Sequence, residues 1–257
     1  MLWKYLIPMS SAVWSTPMDK MLDFPALTLI HFFKNHGFLG LNSQHQWYTL
    51  ENGSESYKKN LIAPFKDKIK INNAVVSVIR IGEKALVILK DGSQEEFDKV
   101  IFACHADQAF KLLADPTLDE KTLLKPFKYQ KNTATVHTDE SVMPKTKKTW
   151  SSWNYRIESI NGELVPTTIY WMNNLQGVSK KKNYFVSINA IPNSIAKNKL
   201  VKEIDYEHPL FDVAAINAQE KLNTLNAKGP LYFCGSYFKY GFHEDAFKSA
   251  VELCANM

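Results

Sequence analysis

The sequence predicts an α/β fold interrupted by an α+β insertion whose sheet is mainly antiparallel. Three observations carry that prediction. The hydrophobic period changes from helical to strand-like near residue 69. A fully apolar run, VIFA at 100–103, reads as a strand buried on both faces and leads straight into a helical pattern. The chain closes on LYFCGSYFKYGFHEDAFKSA, residues 231–250, where a short apolar strand stops at Gly235 and a helix follows a polar, aromatic loop.

Taken in order, residues 1–50 read as mostly helical. FPALTLIHFFKNHG sets Leu27, Ile30 and Phe33 at helical spacing, and Gly37 is a natural C-terminal stop. A second helix is predicted from Ser54 to Phe65, entered through ENGS. Strands are predicted over 75–80, 85–89 and 99–103, the second ending at the turn signal Asp91-Gly92. HADQAFKLLAD then starts a helix, with Pro116 beyond its end.

Four further strands are read from NTATVHTD, TWSSWNYRIE, VPTTIYWMNN and NYFVSINA. In the first, Thr133, Thr135 and His137 share one face and Ala134, Val136 and Thr138 the other, as in an antiparallel sheet with one wetter face. HPLFDVAAINAQEKLNTLN reads as a helix. The chain thus divides into a helical segment at 1–50, a first α/β part at 51–110 and 230–257, and an insertion at 111–229 with its own sheet.

Composition bounds the function. The 257 residues are enough for one large domain or two small ones, and 45% hydrophobic with 22% charged residues is ordinary for a soluble globular chain. The net charge of +5 comes from scattered lysines, which read as solvated loop charge and not as a nucleic-acid surface. Cys104, Cys234 and Cys254 lie in apolar runs without metal-ligand spacing, which reads as buried free thiols in a reducing compartment. No apolar run approaches the length of a membrane helix, and a cytoplasmic protein is expected.

The closing segment carries the chemistry. A loop leaving the carboxyl end of a parallel strand and entering a helix is where open α/β sheets bind ligands. The unpaired N–H groups of the helix's first turn favour an anion or an electron-rich oxygen, and Gly241 allows close backbone approach. His243, Glu244 and Asp245 read either as capping and loop contacts or as an acid–base set. A plain strand–turn–helix accounts for the same letters.

The segment resembles the C-terminal flavin-binding motif of the FAD-dependent amine oxidase family, and more narrowly a bacterial branch described as predicted NAD/FAD-binding proteins. PMSSAVWSTP, FPALTLIHFFKNHGFLGL, QWYTLENGSESY, VVSVIR, FDKVIFACHADQAFKLL, WSSWNY, NNLQG, HPLFD and FCGSYFKYGFHEDAFKSA match in order over nearly the whole chain. The resemblance implies FAD, a partial Rossmann-like FAD/NAD(P)-binding domain and a substrate domain. It implies a backbone contact from Val75 near the adenine, and Ala103 and Cys104 beside the diphosphate. It places Gly235 and Ser236 at the diphosphate and ribityl chain. Gly241 and Phe242 lead to His243, Glu244, Asp245 and Ala246 at the pyrimidine edge of the flavin. Trp150, Trp153, Tyr155, Tyr170 and Trp171 are the candidates to line a pocket for an amine or a lipid-like small molecule, with sheet packing as the alternative; His137 reads as structural. No general base is assigned.

The family's opening strand–G-x-G-x-x-G–helix unit has no counterpart in these residues. Asn52 and Ala246 also stand where the family often has glycine. The expectation is a C-terminal part of a flavin oxidoreductase whose dinucleotide-binding unit sits on a separate chain, or a non-catalytic remnant or interaction module. Either way, parallel strands without that unit should leave apolar surface uncovered.

Overall fold

The computed structural model describes residues 2–43 and 45–257, apart from the side chain of Glu163. It forms two compact units built from interleaved segments. The first comprises Met1–Lys66 and Gln130–His208, the second Asp67–Tyr129 and Pro209–Met257. The sequence reading drew the divisions at 50, 110 and 229; here they fall at 66, 129 and 208.

The first unit opens with α1 (Leu6–Trp14), α2 (Ala26–Asn35) and α3 (Ser54–Ile62). Trp14 packs its ring 4.6 Å from Phe24 and 4.7 Å from Phe32, which anchors α1 against α2. The buried residues of α2 are Phe32 and Phe33, while Leu27 and Ile30 point outward at 65% and 52% exposure. The predicted helix is therefore present, but its apolar stripe is rotated from Leu27 and Ile30 onto the aromatic pair. Asn52 holds φ +63°, a left-handed conformation that asparagine tolerates better than most residues.

The second unit contributes β1 (Val75–Ile81), β2 (Lys84–Leu89) and β3 (Gln94–Phe97), an antiparallel meander in the order β1-β2-β3. β3 was not anticipated, because QEEF is too polar to signal a strand. β4 (Val100–Phe102) leaves the meander and pairs in parallel with β10 (Leu231–Phe233). The expectation of a strand buried on both faces fails at β4: Phe102 is 4% exposed, but Ile101 is 42% exposed. Only one face of this two-stranded sheet is covered among the described residues.

α4 (Ala106–Leu112) and α5 (Leu118–Leu124) follow. Thr117 and Glu120 form a capping box that sets the start of α5, and Arg80 of β1 bonds both Asp115 and Glu120.

The first unit's sheet has five strands in the order β6-β7-β8-β5-β9, formed by β5 (Lys128–His137), β6 (Trp153–Ile160), β7 (Glu163–Trp171), β8 (Phe185–Ile188) and β9 (Leu200–Leu210). A short helix, α6 (Met172–Gln176), takes the residues that were read as the end of the β7 strand. β9 is the second strand that the sequence hid. Its LVKEIDYEHPL pattern is mostly exposed and charged, as suits a sheet edge. His208, Pro209 and Leu210 belong to β9, so the helix read from that point shrinks to α7 (Val213–Gln219) and a 3₁₀ turn over Leu222–Ala227.

α8 (His243–Ala255) closes the chain. Its buried residues are Ser249 and Leu253, whereas Phe247 and Val251 are 53% and 51% exposed. The apolar positions thus lie mainly on the outer side of α8. Cys254 is consequently exposed and Cys104 half-buried; only Cys234 is a buried thiol.

Candidate functional site

In the second unit, parallel pairing in register aligns Phe102 with Phe233, and Cys234 N–H donates to Phe102 O at 3.0 Å. The stacked rings of Phe102 and Phe233, 5.1 Å apart, lock the covered face. Ala103, Cys104, Gly235 and Ser236 therefore leave the same end of the sheet together. Gly241 joins them, since its N–H donates to Ser236 O at 3.1 Å. Val75 lies apart from this group, in the meander sheet at the start of β1.

Gly235 is required by packing. A Cβ there would lie 2.7 Å from the Tyr237 ring and 3.5 Å from Cys104 O, and its φ of +156° suits only glycine. Its N–H donates to Ser249 Oγ at 2.9 Å, so it is spent inside the fold. Gly241 has φ +96° and abuts the Phe211 ring. Beyond it, Asp245 reaches back to accept from Phe242 N–H at 3.0 Å, and Ala246 N–H donates to Phe242 O at 3.2 Å. Phe242, His243 and Glu244 are exposed at the start of α8. The set His243-Glu244-Asp245 thus includes one capping carboxylate and two outward side chains.

The structure adds residues that spacing gave no reason to choose. Tyr237 is 1% exposed, and its hydroxyl is enclosed without a hydrogen-bond partner. Burial holds its phenol well above the ordinary value. Asp107 Oδ1 is likewise enclosed and unpartnered, while Oδ2 takes Lys111 at 2.6 Å. Tyr129 stacks on His105 with centroids 4.1 Å apart and accepts from Ala106 N–H at 3.0 Å. Burial pushes both the Tyr129 phenol and the Cys104 thiol up, and the Asp107 carboxylate adds to each. Tyr237 Oη and Asp107 Oδ1 are thus enclosed polar atoms that no hydrogen bond satisfies among the described residues.

Ala103, Cys104, Ser236, Gly241 and the start of α8, gathered at one end of the parallel pair, are compatible with one end of a flavin. The loop that returns from Gly241 to Ser236 and the start of the 13-residue helix α8 follow directly on the end of the parallel pair. For the diphosphate there is no glycine-rich strand–helix turn among the described residues.

In the first unit, the five aromatic candidates separate. Trp150 and Trp171 pack on Val142, Met143, Ile169 and Phe185 and form a core cluster. β6–β7 register pairs Trp153 with Tyr170 and Tyr155 with Thr168, which sets these side chains on the opposite face from Ile169 and Trp171. Trp153 meets Tyr170 edge-on at 5.7 Å and Trp47 at 6.4 Å. Tyr155 lines a cleft of about 530 Å³ together with Ser11, Thr16, Thr135, Thr168 and Glu203.

The cleft has a topological cause. β8 has 4 residues, but its neighbours β7 and β5 have 9 and 10. Ile188 faces Thr168 on one side and Ala134 on the other, so both neighbours run on past the end of β8. The gap opens there.

His137 lies outside the cleft lining, fully buried on β5. Its Nδ1 accepts from Asp139 N–H at 3.2 Å, so Nε2 carries the proton and donates to Ser187 Oγ at 2.9 Å. Asp139 meets the His137 ring only through its backbone N–H, its carboxylate being held by Ser141, Ala196 and Lys199, and the tautomer is the wrong one for a general base on Ser187. Burial lowers the His137 pKa to about 4. Burial would raise Asp139, but Ala196 N–H, the Ser141 hydroxyl and N–H, and the Lys199 ammonium outweigh it and hold the carboxyl far below its ordinary value. Both residues are structural. Among the described residues no cluster is placed to hold a metal, and no helix is long and apolar enough to cross a membrane.

Residues 2–183 match the family described as flavin containing amine oxidoreductase, and the chain belongs to that family. Among solved structures, it is similar to cyclohexylamine oxidase from Brevibacterium oxydans IH-35A, with TM-score 0.60 and 10% identity over 91% of this chain and 60% of that one. A conjugated-linoleic-acid-producing (CLA-producing) fatty acid isomerase from P. acnes follows, with TM-score 0.54 and 10% identity over 80% and 52%. Wild-type putrescine oxidase bound to putrescine gives TM-score 0.51 and 12% identity over 80% and 53%. At such identities the likeness speaks for the fold. The chain spans 52–60% of the length of these three structures. A search of curated proteins finds no match.

Proposed function

We propose that the chain is the substrate-binding and flavin-edge part of an FAD-dependent oxidoreductase of the amine oxidase type. The observation that carries this reading is the strand end in the second unit, where the parallel pairing of β4 with β10 brings Ala103, Cys104, Gly235 and Ser236 together and Gly241 N–H bonds Ser236 O just ahead of α8. When bound, FAD would supply the redox chemistry, accepting a hydride at N5 from a substrate C–H. Ala103 and Cys104 would lie beside its diphosphate and Ser236 beside the ribityl chain, and Gly241 and the first turn of α8 from Phe242 to Ala246 would hold its flavin end. Exposed backbone N–H groups at the α8 start would favour the electron-rich pyrimidine edge. The first unit's cleft would take and orient a small molecule.

The remaining contacts to the diphosphate and adenine would come from a glycine-rich unit on a separate chain. Supporting this is the apolar surface left exposed in the second unit, at Ile101 on β4 and at Phe247 and Val251 on α8. The same surface favours the second reading, an interaction module without catalysis of its own.

The experiment is to purify the chain alone, and again with any neighbouring-encoded protein carrying a strand–G-x-G-x-x-G–helix unit, and record visible spectra. A yellow pair and a colourless single chain support the oxidoreductase reading. Two preparations that neither retain nor take up FAD leave the interaction module.

A further inference from the structure

The cleft in the first unit has a chemistry that none of the comparisons specifies. Eight of its fifteen lining residues carry hydroxyl groups. Several of those hydroxyls spend their protons within the fold. Ser11 donates to Thr16 O, Thr167 to Ile188 O at 2.8 Å, and Thr133 to Asp205 at 2.9 Å. A hydroxyl that has donated inward has only lone pairs left to offer a ligand. Glu203 is the only charged residue in the lining, its carboxylate 3.4 Å from the Thr135 hydroxyl, and no lysine, arginine or histidine lines the cleft among the described residues. The site is therefore rich in acceptors and carries net negative charge.

The walls add shape. Val165, Pro166, Ile188 and Pro17 supply flat aliphatic patches between the hydroxyls. An alternation of hydroxyl oxygens with small aliphatic surfaces is unsuited to a long hydrocarbon chain, which would leave the oxygens unpaired. It is suited to a compact molecule that is studded with O–H donors, shows C–H faces between them, and carries one positive charge. The volume, about 530 Å³, admits a ligand of monosaccharide size with its water shell.

We propose that this cleft binds a polyhydroxylated cation, an amino sugar or amino polyol, with Glu203 facing the ammonium group and the serine and threonine oxygens accepting from the ligand's hydroxyls. As a substrate assignment this rests on the oxidoreductase reading; as a binding site it does not, because every lining residue belongs to the first unit. Tyr155 contributes its ring to the inner wall, while its hydroxyl is enclosed and burial pushes the phenol up.

The test is calorimetric titration of the full chain, without flavin, using four probes: glucosamine, glucose, cyclohexylamine and gluconate. Glucosamine should bind roughly tenfold more tightly than glucose or cyclohexylamine, since each lacks one of the two features, and gluconate should be rejected. Glu203→Gln, at an exposed position, should erase the preference for glucosamine over glucose while leaving the unfolding temperature unchanged. Thr168→Val, which keeps side-chain volume, should weaken glucosamine and glucose alike by several fold and cyclohexylamine by less. Cyclohexylamine binding as tightly as glucosamine, absence of glucosamine binding to the folded wild type, or an unchanged preference in Glu203→Gln would each overturn the proposal. None of these readouts involves FAD. Glucosamine binding by a chain that takes up no FAD either alone or with a glycine-rich partner sinks the oxidoreductase reading and keeps the site, and a yellow pair whose chain ignores glucosamine does the reverse.

Discussion

The two units solve the problem of a β-sheet in opposite ways. The first unit closes its five-stranded sheet with its own material: Phe185 and Ile169 are 0% and 1% exposed, and the outer strand β9 is charged. The second unit buries one side of its two-stranded parallel sheet equally well, with Phe233 at 0% and Phe102 at 4%, yet leaves Ile101 at 42%. Parallel strands normally have both faces covered. The contrast is one of coverage: the first unit covers its sheet and holds a cleft, whereas the second leaves one face of its parallel pair exposed, which suits the interface and cofactor edge proposed for it.

The largest effects should come from the buried sides, where the units are alike. Phe185→Ala in the first and Phe233→Ala in the second should each cost about 3–5 kcal/mol in denaturant unfolding, since both leave large cavities. A much smaller loss for Phe233→Ala would mean that the parallel pair is loosely packed even on its covered face.

Next comes a pH response confined to the first unit. His137 has a depressed folded pKa of about 4, against 6.5 ordinarily. Above pH 6.5 both states are neutral and nothing changes. As pH falls toward 4, the unfolded chain takes up a proton that the folded chain refuses, so stability drops by roughly 3 kcal/mol. Asp139 has a depressed carboxyl as well, so its contribution is lost only in more acidic solution, below the ordinary carboxylate value. His137→Gln should flatten the slope between pH 6.5 and 4; an equally steep slope would place the effect elsewhere.

Gly235→Ala should cost about 1–3 kcal/mol, because the new Cβ meets the Tyr237 ring at 2.7 Å and the ring must shift. Smallest in stability is Phe247→Ser with Val251→Ser, within about 0.5 kcal/mol, since both side chains are half-exposed. The same double variant should reduce self-association in sedimentation velocity, and unaltered association would remove α8 from the interface.

How much of this was readable in the residues follows from burial. VVSVIR, KALVIL and VPTTIYW announce strands because each has enough apolar, β-branched residues to signal its period. QEEF and LVKEIDYEHPL hid their strands because edge positions are selected for charge. The buried face of α8 is hidden for a related reason: Phe247 and Val251 form an apolar stripe at helical spacing, but the buried residues are Ser249 and Leu253. At the site, Gly235 and Gly241 were legible as punctuation. Tyr237 and Asp107 were not, because an unpartnered atom is a property of the packed fold. The cleft was invisible for the same reason, arising from a short strand between two long ones.

The most direct test of the account is residue-resolved. Amide resonances of the isotope-labelled chain would be followed during titration with flavin mononucleotide, which offers the flavin end without adenine. The account predicts shifts at Ser236, Gly241 and the first turn of α8 from His243 to Ala246, with the amides of Thr135, Thr168 and Glu203 in the first unit unmoved. No shift at the β10–α8 loop, or shifts confined to the first unit, would contradict it.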